Sequence, residues 1–189
     1  MSDTVDAAPA ALARLVEFVN TRRADGDAIG TPEQLTTWLR THELLPEGSA
    51  DTAARERTVR VREGLRALLA TNNAEPVTSP RPDGLNPAAR TELAALTAAL
   101  PLILDVTSTP PRLVPHTNDR VDHALATLLA DVAAAVAAGT WSRLKTCREP
   151  SCRWAFYDHS RNRGRTWCSM DVCGNRVKVR ASHRRNAAR

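Results

Sequence analysis

Lysine is nearly missing from this chain: only Lys145 and Lys178 accompany the arginines that make up the rest of its 26 basic residues. Aromatics are scarce too, with four Trp, two Phe and one Tyr in 189 residues, while alanine is abundant. That bias resembles a GC-rich coding sequence, so the clustering of arginine carries more information than its abundance. No cysteine precedes Cys147. No apolar run reaches the roughly 18–20 residues of a membrane helix; the longest candidate, ALATLLADVAAAVAAG, is alanine-rich and broken by Asp131. The first residues, MSDTVDAAPAALARL, lack a basic segment followed by an apolar one, so no secretion signal is read there. The expectation is a cytoplasmic protein, away from membranes, with reduced thiols. A glycine-rich phosphate loop, an HExxH pair and a Ser/His/Asp set in useful context are missing as well, so catalysis is not expected.

What is present is polarised along the chain. Residues 141–189 hold 13 basic side chains against Glu149, Asp158 and Asp171, a net +10, whereas the remaining 140 residues hold 13 basic and 18 acidic side chains, a net −5. A mildly acidic body with a strongly basic end points to nucleic acid or another polyanion. The body, residues 1–140, reads as mainly α. Leu12, Leu15, Val16 and Val19 share one face of a helix over 9–21. Thr31, Pro32 and Gln34 spell a capped start for a helix carrying Leu35, Trp38 and Leu39. Residues 51–72 repeat the amphipathic pattern, NNAEPVTSPRPDGLNP is a loop, and Asn86 caps a further helix beginning at Pro87. LPLILDV and PRLVPH, separated by TSTPP, form a minor β element, with Pro110 and Pro111 restricting it to an edge. A last helix spans 119–139 and ends at Gly139.

The four cysteines lie in the basic segment with the spacing Cys147-x4-Cys152-x15-Cys168-x4-Cys173. Two close pairs joined by about fifteen residues match a four-thiolate zinc site. Four thiolates complete a tetrahedron and leave no open position, so one zinc ion here is structural. Two disulfides or an iron–sulfur cluster are the alternatives; the first is disfavoured in a reducing compartment, and the second does not match compact ferredoxin spacings. His159 and His183 fall outside the paired turns. Thiolates on zinc also open a redox reading, in which oxidation releases the metal. The local pattern suggests a small treble-clef-like unit over 141–189. A first knuckle leads to a hairpin of RWAFY (153–157) with RTW (165–167), followed by a helix capped by Ser169. On that helix Met170, Cys173, Val177 and Ala181 form a seam toward the metal.

Around this unit gather Arg161, Arg163 and Arg165 in the turn SRNRGR, and Asn175, Arg176, Lys178, Arg180, Arg184 and Arg185 on the helix. As a set they are the candidate nucleic-acid contacts: the cations for phosphates, and Asn175 with one or two arginines for base edges. Trp141, Trp154, Phe156, Tyr157 and Trp167 supply bulk to a small core or stacking surfaces for bases.

The run WCSMDVCGNRVK, preceded by C-x4-C and FYDHSRNRGR, resembles the CGNR zinc finger, whose name corresponds to Cys173, Gly174, Asn175 and Arg176. LVEFVNTR (15–22), followed by a capped helix containing Trp38 and Leu39, is similar to the ABATE domain of stress-induced transcription regulators. The resemblance implies a bacterial regulator that binds DNA through a zinc-dependent C-terminal finger, with Cys147, Cys152, Cys168 and Cys173 as ligands and Asp158 as the residue between strands. RNA or a protein partner for the finger is the alternative. Asn20 and Thr21, at the end of the first helix, are the polar candidates for an effector pocket. A helical body could also dimerise, although no heptad seam marks it.

Overall fold

The computed structural model describes residues 10–23, 25–73, 86, 88–176, 178–180 and 186. Among the described residues the body has five α-helices in chain order: α1 (Ala10–Val19), α2 (Pro32–Thr41), α3 (Thr52–Ala70), α4 (Ala89–Thr97) and α5 (Arg120–Ala137). Three two-stranded antiparallel hairpins punctuate them: β1 (Arg22–Arg23) with β2 (Gly26–Asp27), β3 (Leu102–Asp105) with β4 (Arg112–Pro115), and β5 (Leu144–Thr146) with β6 (Ala155–Tyr157). The body is mainly helical with the expected minor β element.

Helix starts follow side-chain chemistry. Thr31 accepts the Gln34 amide while the Gln34 side chain accepts the Thr31 amide, closing a capping box ahead of Pro32. Asp51 and Asp119 cap α3 and α5 through the amides of Ala54 and Asp122. Asn86 does accept the Ala88 amide, but the helix proper starts at Ala89, two residues later than its cap motif suggests.

The core joins Leu12, Leu15 and Phe18 of α1, Leu35 and Leu39 of α2, Val61, Leu65 and Leu69 of α3, and Leu125 and Leu128 of α5. It does not stop at the end of α5. Leu144 of β5 and Ala155 of β6 are fully buried in the same cluster, so the finger's hairpin packs directly on the body. Gly64 lets α4 seat on α3: a Cβ there would lie 2.5 Å from the Leu93 Cβ and 3.0 Å from the Ala89 carbonyl oxygen. Two arginines of α3 are buried beside this core. Arg62 forks onto Asp27 at 2.7 and 2.9 Å and reaches the Thr21 hydroxyl at 3.1 Å, which fixes hairpin β1–β2 to the helix. Arg66 donates to the carbonyls of Val19 (2.5 Å) and Arg153 (2.8 Å).

Candidate functional site

The finger begins where β5 hands the chain to a tight turn. Cys147 follows the strand and its amide donates to the Trp154 carbonyl at 2.8 Å, closing the ladder. The next residues fold back: the amides of Cys152 and Arg153 both donate to the Glu149 carbonyl, at 2.9 and 3.3 Å. Arg153 takes the left-handed conformation, φ 57°, that lets the chain leave the knuckle into β6. The second cysteine pair is delivered differently. Ser169 caps a wide helical turn, Met170–Gly174, by accepting the Val172 amide at 3.3 Å, and the Ser169 carbonyl accepts from both Cys173 and Gly174. Residues 175, 176 and 178–180 continue as helix.

These elements bring all four sulfurs within 4.8 Å of one another. Cys152 and Cys168 lie 3.6 Å apart, and Cys168 and Cys173 lie 3.7 Å apart. A tetrahedron with Zn–S of about 2.3 Å has edges of about 3.8 Å, so the spacing fits one zinc ion. The distances far exceed a disulfide bond of about 2.0 Å. The electrostatics agree. Burial and the crowding of neighbouring sulfurs push the Cys168 thiol up, and Cys173 is pushed up to about 12, chiefly by burial. At Cys152 burial acts upward too, but the Trp154 amide and the other sulfurs outweigh it and hold the thiol low. Only a cation at the centre makes four thiolates compatible at this spacing.

Family models match both halves of the chain. ABATE, described as "Putative stress-induced transcription regulator", matches residues 12–140, and the CGNR zinc finger matches residues 143–186. The chain belongs to the ABATE family and ends in a CGNR zinc finger. A comparison with curated proteins finds no match. The four-cysteine cluster is thus the finger's structural zinc site, and the fold is mainly helical as the sequence suggests.

The hairpin differs from the expected one. Residues 165–167 form no strand; β6 pairs instead with β5, in the register Leu144 to Tyr157 and Thr146 to Ala155. The cause is a buried ion pair. Lys145, 1% exposed, donates to the Asp158 carboxylate at 2.7 Å, to the Arg165 carbonyl at 3.2 Å and to the Arg163 carbonyl. The Arg165 amide donates to Asp158 at 3.0 Å rather than entering a ladder, and the Ser160 amide and hydroxyl take the other carboxylate oxygen. Burial pushes the Asp158 carboxyl up, but Lys145 and Ser160 outweigh it and hold it below the ordinary range. The segment SRNRGR is therefore shaped by two buried charges that sequence reading counts as surface.

The nine candidate nucleic-acid residues separate into groups. Arg161, Asn175, Arg176 and Lys178 are exposed, and the three cations have no ion-pair partner among the described residues. Asn175 donates to the Asp171 carbonyl at 2.9 Å within its own helix. Arg163 donates to the Ser142 hydroxyl at 3.0 Å. Arg165 holds the carbonyls of Trp167 and Cys168, and its guanidinium lies 5.1 Å from the Phe156 ring centroid. Arg180 reaches back at 2.7 Å to Glu149, which is buried inside the first knuckle. Arg184 and Arg185, like His183, Val177 and Ala181, lie outside the described residues. Glu149 and Asp158 are two of only three acids in the basic segment, and both are buried, which leaves Asp171 alone on its acidic surface.

Asn20 and Thr21, the candidates for an effector pocket, are buried and bonded within the protein. Asn20 is buried, donating to the Ala155 carbonyl at 2.9 Å and accepting the Ala155 amide at 2.8 Å, as a neighbouring strand would. The Thr21 hydroxyl donates to the Phe18 carbonyl at 2.8 Å and accepts from Arg62. Both residues join the body to the finger and to hairpin β1–β2. No described helix is long and apolar enough to cross a membrane.

Proposed function

We propose that the chain is a cytoplasmic transcription regulator that binds duplex DNA through its zinc finger, with the helical body (1–140) as the regulatory part of the response to stress. The observation that carries this reading is the set of exposed cations in the zinc-finger segment, with Arg161, Arg176 and Lys178 unpaired among the described residues and Asp171 the one exposed acid of residues 141–189 that the structure describes. Zinc and the Lys145–Asp158 pair hold that face in shape, which lowers the cost of ordering it on a phosphate backbone. Val172, Arg176 and Val179 follow at helical spacing, and both valines are about half exposed. An arginine flanked by small apolar groups suits a major groove, where guanine edges and thymine methyls are read. The reading assigns no catalysis, because four thiolates close the coordination of the metal.

The test is selection from a random duplex pool by the zinc-loaded full chain, with a chelated sample beside it. Enrichment of a motif that disappears on chelation is the expected result. Salt-sensitive binding without enrichment would leave a phosphate-gripping finger that does not read sequence. Preference for single strands or RNA would overturn the DNA assignment.

A further inference from the structure

Beside the zinc knuckle lies a concavity of about 440 Å³ that the finger does not close by itself. Trp154 forms one wall, Val172 and Arg176 of the second knuckle form another, and Arg23 of hairpin β1–β2 completes it from the body. No carboxylate lines it, but the zinc ligands Cys152, Cys168 and Cys173 do. Arg23 is exposed, as is Arg22 beside it, and its guanidinium sits 5.6 Å from the centroid of a Trp154 ring. The hairpin that presents them is firmly placed. Asp27 in β2 is clamped by the fully buried Arg62, and the Ala28 amide donates to the Thr21 carbonyl at 2.8 Å. Two arginines from different parts of the chain thus border one basic, partly apolar hollow.

We propose that hairpin β1–β2 is part of the DNA interface: Arg23 and Arg176 hold a backbone phosphate of duplex DNA between them, Arg22 engages the next phosphate, and Trp154 with Val172 forms the apolar wall against the deoxyribose. This rests on the DNA-binding reading above. Two guanidinium groups bordering one hollow can donate to separate oxygens of a phosphodiester. The thiolate cluster is a competing anion, since four thiolates around Zn²⁺ carry a net charge of −2. Arg23, however, lies over the indole of Trp154, at the rim, where a strand of DNA crossing the finger would pass.

The experiment measures anisotropy of a labelled non-specific duplex against the zinc-loaded full chain over a salt series. Arg23→Ala is expected to lower the magnitude of the slope of log Kobs against log salt by about 0.9, and the Arg22→Ala, Arg23→Ala pair by up to about 1.8. Arg23→Lys should keep the slope. Arg112→Ala removes the same charge from hairpin β3–β4, which does not border the hollow, and should leave the slope unchanged. If Arg23→Ala disturbs the hairpin, seen as a lowered melting midpoint, Arg23→Gln keeps the stem on Trp154 while removing the charge. A wild-type slope in the Arg23 variants, or an equal change in Arg112→Ala, overturns the proposal. Loss of zinc affinity with the slope intact would assign Arg23 to the thiolate cluster instead. Wild-type protein that fails to bind duplex DNA at all would remove the functional reading itself.

Discussion

Asn20→Ala tests the junction between body and finger. The Asn20 amide bonds both polar groups of Ala155, a residue with no exposed surface, at 2.8 and 2.9 Å. Truncation leaves the Ala155 N–H and carbonyl buried without these partners. Each such group costs about 1–3 kcal/mol, so the pair predicts a loss of about 2–6 kcal/mol. With a urea m-value of about 2–3 kcal/mol/M for a domain of this kind, the midpoint should fall by roughly 0.7–3 M. The assay is urea unfolding of the zinc-saturated full chain, followed by both helical signal and tryptophan fluorescence. Asn20→Asp separates lost bonds from lost volume. It conserves size and keeps an acceptor for the Ala155 amide, but sets a carboxylate against the Ala155 carbonyl, so it too should destabilise. A change below about 0.5 kcal/mol in Asn20→Ala, or a neutral Asn20→Asp, would refute the argument that these two bonds hold β6 on α1.

Other outcomes follow from the same contacts. Gly64→Ala should destabilise by about 1–3 kcal/mol in thermal melts, because a Cβ 2.5 Å from the Leu93 Cβ forces α4 outward and outweighs the helix preference of alanine. Lys145→Met should cost about 3–5 kcal/mol by leaving Asp158 buried without its cation; Asp158→Asn in the same chain should recover part of it, and no recovery would argue against the pair. Burial pushes the Asp27 carboxyl up, yet Arg62 outweighs it and holds the value below the ordinary carboxylate range. Its contribution is therefore complete above about pH 4 and is lost as the pH falls through the lowered folded value. Urea midpoints of the wild type should fall more steeply below pH 4 than those of Asp27→Asn, and parallel curves would count against the clamp. Removal of zinc by a strong chelator should lower the melting midpoint of the helical signal as well as that of the finger; an unchanged helical melt would mean the two halves are not coupled.

How much of this was legible in the sequence depends on the kind of residue. The metal site was readable because thiol spacing is set by the geometry of a single ion, and the four cysteines have no competing partners. Helix starts at Thr31 and Pro32 were readable because capping is local chemistry. Buried charge was not. Arg62 and Arg66 stand one position from Val61 and Leu65 on α3, and in an arginine-rich chain nothing marks them as core. Asp158 and Glu149 gave a weak signal as rare acids in a basic segment, but only tertiary contacts reveal that one shapes SRNRGR and the other holds Arg180. The strand pairing was misread for the same reason. RTW has strand character, yet the Arg165 amide is taken by Asp158, and residues 144–146 supply the ladder instead. Asn20 and Thr21 were visible as unusual polar residues at a helix end. The sequence could not say that the strand Asn20 meets lies 135 positions away.

Among the described residues, helix α3 and its end are where body and finger touch most extensively by side-chain hydrogen bonds: Arg66, Asn72 and Asn73 all reach residues 141–153. Along its length Arg62 clamps the hairpin that carries Arg23, and one turn later Arg66 holds the carbonyl of Arg153 directly after the zinc ligand Cys152. At its end the Asn72 side chain donates to the carbonyls of Trp141 and Leu144, and the Asn73 side chain donates to that of Thr146, the residue before Cys147. One rigid helix therefore sets the position of both the body's exposed arginines and the first zinc knuckle. The Arg153 carbonyl is where Arg66 needs it because Arg153 adopts a left-handed turn conformation, in a knuckle closed by the Cys152 and Arg153 amides on the Glu149 carbonyl. Zinc held by Cys147 and Cys152 would tie the two ends of that knuckle together, so its removal is expected to loosen an acceptor of the buried Arg66 guanidinium, which is costly in a dry interior. That is the route by which chelation should reach the helical melt. A displacement of α3 would move Arg23 and the Cys147–Cys152 knuckle together, so the basic surface around the metal can change only as the helical core changes.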